Sequence, residues 1–103
     1  MDELLKKAVI NGNIEVIKFL LENGAYINKK DNLGKIPLHY ACENYVDSIS
    51  TIKCLVEYGS NVNEKDIYDQ KPFDTIIYER EDDNSSTNQE IFDYIHEIFW
   101  YRR

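Results

Sequence analysis

Residues 19–31 read Phe19-Leu20-Leu21-Glu22-Asn23-Gly24-Ala25-Tyr26-Ile27-Asn28-Lys29-Lys30-Asp31, and residues 54–66 read Cys54-Leu55-Val56-Glu57-Tyr58-Gly59-Ser60-Asn61-Val62-Asn63-Glu64-Lys65-Asp66. Gly24 and Gly59, Asn28 and Asn63, Asp31 and Asp66, and further on Pro37 and Pro72, all stand 35 residues apart. Four kinds of residue recurring in register define an internal repeat. Units of this length cannot bury their apolar faces alone and must stack on one another.

Each part of the repeat has a physical role. Residues 14–21 and 49–56 carry apolar side chains at helical spacing, which predicts two amphipathic helices. Gly24 and Gly59 follow their last turns, where a left-handed backbone costs glycine least. Asp31-Asn32-Leu33-Gly34 reads as a turn, with the aspartate able to accept from nearby backbone amides. Pro37 then opens a short helix over 37–43, in a first-turn position where a missing N–H does no harm. Ala41 and Cys42 offer that helix a surface for close packing. The unit is hairpin turn, short helix, loop, longer helix.

At this point the chain resembles a known family. Gly34-Lys35-Ile36-Pro37-Leu38-His39-Tyr40-Ala41 is similar to the ankyrin signature G-x-T-P-L-H-x-A, and residues 20–28 resemble the second half of that repeat. The resemblance is strong over 8–75 and weaker beyond. It implies an all-α ankyrin-repeat solenoid of helix-loop-helix units joined by short β-hairpin turns. It also implies one domain over 1–103, divided into an N-terminal capping repeat (1–30), a central repeat (31–65) and a degenerate C-terminal capping repeat (66–103). The last contains a polar, acidic loop over 79–89 that is expected to be mobile.

Three departures stand out. The period is 35 residues against a family value of about 33, with two extra residues falling between 43 and 48. Ile36 replaces the family's threonine, so no hydroxyl there can bond the backbone or orient His39. Restoring threonine is expected to stabilise the fold by roughly 0.5–1.5 kcal/mol, unless the isoleucine packs between repeats. In the third repeat Lys71, Asp74 and Ile76 stand at the threonine, histidine and alanine positions.

Composition narrows the function. A chain of 103 residues is one domain. Its net charge of −7 disfavours nucleic acid and anionic membrane, and Lys29-Lys30 is its densest internal basic pair. No apolar run reaches the roughly 20 residues of a spanning helix, and Asp2 and Glu3 stand where a secretory signal would carry bases. The expected location is the cytoplasm, and a composition rich in Asn, Ile, Lys and Tyr is similar to that of viral, protist or intracellular-bacterial proteins, which would place it inside a host cell. Cys42 and Cys54 read as buried reduced thiols.

No catalytic, cofactor or metal constellation is evident. His39 and His96 have no nucleophile or carboxylate at a recognised motif spacing, and phosphate-loop, H-E-x-x-H and C-x-x-C patterns are absent. A calcium loop starting at Asp82 would need glycine where Thr87 stands and glutamate where Asp93 stands. The resemblance implies that His39 bonds hairpin backbone. It also implies recognition of another protein, as an adaptor or inhibitor, through hairpin tips and the concave face of the short helices. Transferred position by position, the partner-binding residues are Leu33, Lys35, Ile67, Tyr68 and Gln70 at the tips, and Glu43, Asn44 and Tyr78 on the helices. Exposed tyrosine gives large contact area with few rotors. On the last helix, residues 91, 92, 94, 95, 98, 99 and 101 share one face and Trp100 falls opposite. Trp100 is therefore a further contact residue, for a partner or for a weak homodimer through that helix, the alternative reading being a self-associating structural module.

Overall fold

A computed structural model describes residues 2–43, 48–74 and 93–98. Four helices are placed in it: α1 (Asp2–Asn11), α2 (Ile14–Glu22), α3 (Pro37–Glu43) and α4 (Ser48–Glu57). Residues 93–98 are also helical, and no strand occurs among the described residues. α1 packs on α2 and α3, α3 on α4, and α2 on α4. The result is two helical layers, α1 with α3 and α2 with α4, as the repeat implies. The acidic loop over 79–89, the residues inserted between α3 and α4, and Trp100 lie outside the described residues.

The helix ends follow the sequence closely. Asn13 caps α2 by accepting from the Val16 amide at 3.3 Å. At its other end the Ala25 amide bonds Leu20 O (3.0 Å) and the Gly24 amide bonds Leu21 O (3.3 Å). The same pair closes α4, from Ser60 to Leu55 O (3.0 Å) and from Gly59 to Val56 O (3.1 Å). This is the Schellman arrangement, which satisfies the last carbonyls of a helix. Both glycines are in the left-handed region, with φ of 97° and 99°.

Leu5, Val9, Ile17, Leu38, Ile52 and Leu55 fill the space between the layers and are fully enclosed. Cys42 and Cys54 are buried free thiols within the same core. Polar ties join one repeat to the next. The Asn28 side chain donates to Gly59 O (3.3 Å) and accepts from the Asn61 amide (2.8 Å). The buried His39 imidazole lies 3.0 Å from Gln70 O through Nε2.

Each hairpin is closed by its aspartate. Asp31 Oδ1 accepts from the amides of Leu33 (2.9 Å) and Lys35 (3.0 Å), and Asp66 Oδ1 accepts from those of Tyr68 (2.9 Å) and Gln70 (3.0 Å). The two hairpins then meet edge to edge, the Ile67 amide donating to Leu33 O at 2.9 Å. Gly34, at φ 73°, permits this approach, because a Cβ there would stand 3.1 Å from the Ile67 nitrogen.

For Ile36 the structure follows the alternative left open above, that the isoleucine packs between repeats. It is 0% exposed, and its amide donates to His39 Nδ1 at 3.0 Å. The histidine is oriented by a backbone N–H, with no hydroxyl needed, and the isoleucine packs in the core. The third repeat keeps the same contact with other chemistry: the Lys71 amide donates to the Asp74 carboxylate at 2.8 Å. Ile36→Thr should therefore lower stability, by about 1–2 kcal/mol, since it places a hydroxyl in an apolar enclosure. Denaturant melts of the two proteins check this, and an unchanged or higher midpoint would show that the hydroxyl finds a partner.

Asp31 also gives the fold a pH dependence. Burial alone would raise its pKa, but hydrogen bonds from Tyr40, the Lys35 and Leu33 amides and Lys6 outweigh this and hold the carboxyl below its ordinary value. A carboxylate depressed in the folded state stabilises it above the unfolded pKa, about 3.9, and loses that contribution as pH falls through the folded value. Asp31→Asn should cost about 1 kcal/mol at neutral pH and should flatten the fall in melting temperature below about pH 5. Parallel acid profiles for the two proteins would contradict this.

Candidate protein-binding surface

The edge-to-edge hairpins bring three of the expected contact residues to one surface. Leu33 is 38% exposed, Ile67 60% and Tyr68 64%, and the Leu33–Ile67 backbone bond makes the two tips neighbours. Gln70 is exposed beside them. Apolar side chains on rigid turns present contact area without the entropy cost of ordering a loop. Ile10 and Asn11, at the end of α1, are exposed as well.

Lys35 and Glu43 are placed differently. Their side chains pair with each other at 2.6 Å, and that of Lys35 is only 15% exposed. The hydrogen bond to Glu43 is the chief reason that the Lys35 pKa is raised. These two residues brace the hairpin against α3. Asn44, Tyr78 and Trp100 lie outside the described residues. Next to that last residue, Ile95 and Ile98 turn into the core and Asp93, His96 and Glu97 outward.

Sequence reasoning missed a second feature. A cleft of about 250 Å³ opens between α1, the segment 26–31 and the start of α3. Leu5, Pro37, Tyr26 and Tyr40 form its apolar walls, and Lys6, Lys29, Lys30 and Lys35 line it together with Glu3 and Asp31, the ammonium groups of Lys30 and Lys35 being paired with Glu64 and Glu43. Lys6 is far in sequence from the pair Lys29-Lys30 and from Lys35, so their convergence is not announced by a run of bases. Tyr40 is their hub. Its hydroxyl donates to Asp31 Oδ2, with Lys6 Nζ 4.7 Å and Lys35 Nζ 5.5 Å from the ring centroid. Burial, followed by the bond to Asp31, raises the Tyr40 pKa. Desolvation opposes the charge on Lys6, but Tyr40 and Asp31 together outweigh it and raise the lysine pKa.

Both ring nitrogens of His39 lie within hydrogen-bonding distance of backbone groups. Burial pushes the Cys42 thiol well above its ordinary pKa, and the Cys54 thiol is raised by burial too, which removes thiolate character from both.

Comparison with known proteins agrees with this geometry. The family model described as ankyrin repeats, in three copies, matches residues 2–66. Human protein phosphatase 1 regulatory subunit 27 is 45% identical over 40 residues, 39% of this chain and 26% of that protein. An ankyrin repeat protein of Rickettsia bellii is 51% identical over 41 residues, 40% of this chain and 17% of its own length. One from fowlpox virus is 54% identical over 37 residues, 36% and 26% of the two lengths. The matched stretch is thus about a quarter or less of each relative. The family model spans well over half of the residues, and the chain belongs to the ankyrin-repeat family.

Proposed function

We propose that this chain is an adaptor or inhibitor that docks on a partner protein through its hairpin tips, with no catalytic role of its own. Ankyrin repeats are protein–protein interaction modules, and the observation that carries the specific reading is the adjacency of Leu33, Ile67 and Tyr68 on two bonded turns. Rigid aromatic and aliphatic anchors of this kind are where binding energy concentrates. One relative is named as a regulatory subunit of a phosphatase, which supports a partner whose activity is modulated by docking. No helix among the described residues is long and apolar enough to cross a membrane, in keeping with a cytoplasmic site of action, inside a host cell if the source is a virus or an intracellular bacterium.

Replacing Ile67 and Tyr68 together by alanine should weaken partner capture by about 2 kcal/mol or more while leaving the helical signal unchanged, since both side chains are exposed. A photo-reactive amino acid placed at position 68 should cross-link the partner. The same group at Phe19, 63% exposed on α2, should not. Cross-linking from position 19 alone would move the interface to the outer layer and overturn the assignment.

A further inference from the structure

Asparagine followed by glycine occurs twice in the sequence, at Asn11-Gly12 and at Asn23-Gly24, and every other asparagine precedes a residue with a side chain. The distinction is chemical. An asparagine carboxamide can be attacked at Cγ by the backbone nitrogen of the next residue, and glycine alone puts no Cβ in the path of that attack.

The two sites are built on the same backbone. Asn11 is the last residue of α1, and Asn23 follows the last residue of α2. The Asn13 and Gly12 amides bond Ala8 O (2.9 Å) and Val9 O (3.1 Å), just as those of Ala25 and Gly24 bond Leu20 O (3.0 Å) and Leu21 O (3.3 Å). Gly12 and Gly24 both take positive φ, 69° and 97°, and both pairs are exposed to water. Either glycine nitrogen must leave a carbonyl before it can attack, so that cost is common to the two sites.

The side chains are not held alike. Asn23 Nδ2 donates to Phe19 O, one turn back along α2, at 2.7 Å. That bond anchors the carboxamide on its own helix and must break before Cγ can swing to the Gly24 nitrogen. Lys7 O stands in the equivalent position for Asn11, yet the Asn11 side chain has no hydrogen-bond partner among the described residues.

We infer that Asn11 is a site of spontaneous deamidation in the folded protein, and that Asn23 is protected by its bond to Phe19. The Gly12 amide gives up its proton to base as its nitrogen bonds Asn11 Cγ. The Cγ–Nδ2 bond breaks and ammonia leaves, which closes a cyclic imide between the two residues. Water then opens the ring. Addition at Cγ breaks the new C–N bond and gives aspartate. Addition at the main-chain carbonyl breaks the original peptide link and gives isoaspartate, with the chain rerouted through the side chain. One water is consumed and one ammonia released, with no change of oxidation state. Either product puts a carboxylate where the last carbonyls of α1 already gather negative charge, beside the exposed Ile10.

The test is peptide mapping by mass spectrometry after incubation of the folded protein at mildly alkaline pH, with a denatured sample beside it. Deamidation raises the mass of a peptide by about 1 Da, and an isoaspartate-specific methyltransferase marks the rearranged fraction. In the folded protein Asn11 should convert about fivefold faster than Asn23, the effect of one net hydrogen bond. In denaturant, where both side chains are free, the two should convert at nearly the same rate. Asn11→Gln should remove the first signal and leave the second unchanged. Equal rates in the folded protein, faster conversion of Asn23, or an Asn11 that converts only in denaturant would overturn the inference. So would a difference that persists undiminished in denaturant, since sequence and not structure would then set it.

Discussion

The His39 imidazole is where a helix, its own hairpin and the next hairpin are held together. Nδ1 accepts from the Ile36 amide and leaves Nε2 to carry the proton towards Gln70 O, both at 3.0 Å. That pattern fixes a single neutral tautomer. The ring is almost fully buried, so either bond, once lost, would leave a buried polar group without a partner. Everything that gives the surface its shape depends on this junction. It holds the second hairpin beside the first, where Ile67 meets Leu33. Asn28 makes a second junction of the same kind at the outer helices, bonding Gly59 O and the Asn61 amide. A stack of short helices has few contacts between distant parts of the chain, and its order is therefore as good as its neighbour-to-neighbour ties.

How much of this was legible in the sequence depended on whether the physics was local. The helices, their glycine ends and the aspartate-closed turns are decided within a few residues, and the 35-residue register exposed them twice over. α3 matches its expected span, α2 runs one residue further at its end, and α4 is one residue longer at each end. Ile36 stayed open between two readings because a signature position suggests a hydrogen-bonding role, while the packing that encloses it comes from elements elsewhere in the chain. Lys35 and Glu43 looked like surface charges, since nothing in a spacing of eight residues across a turn foretells a 2.6 Å ion pair. The cleft was invisible for a related reason: Lys6, Lys29, Lys30 and Lys35 converge only after α1, α3 and the hairpin have been stacked.

The tips and the cleft are built on the same elements and have different characters. The tips are apolar and convex, supported from below by Asp31 and Asp66, so they offer area. The cleft is concave and lined by charges of both signs, with Tyr40 and Asp31 holding Lys6 in place, so it offers selection by shape. Asp31 belongs to both. Its Oδ1 shapes the first tip, and its Oδ2 receives Tyr40 and Lys6 at the cleft. A contact made in the cleft is thereby mechanically continuous with the turn that carries Leu33.

The two sides of the hairpin stack are not equivalent, and one pair of residues shows why. Gly34 and Asp69 occupy the same position, 35 apart, and both take positive φ, 73° and 63°. At Gly34 the missing Cβ lets the second hairpin approach so closely that any side chain would meet the Ile67 backbone. Asp69 carries that side chain, 79% exposed and 3.4 Å from Lys65 Nζ. A further hairpin stacked on residues 66–70 as these stack on residues 31–35 would have to give way by a few tenths of an ångström to its Cβ. The asymmetry comes from a single residue type at a left-handed position, where the ordinary preference for glycine has been set aside.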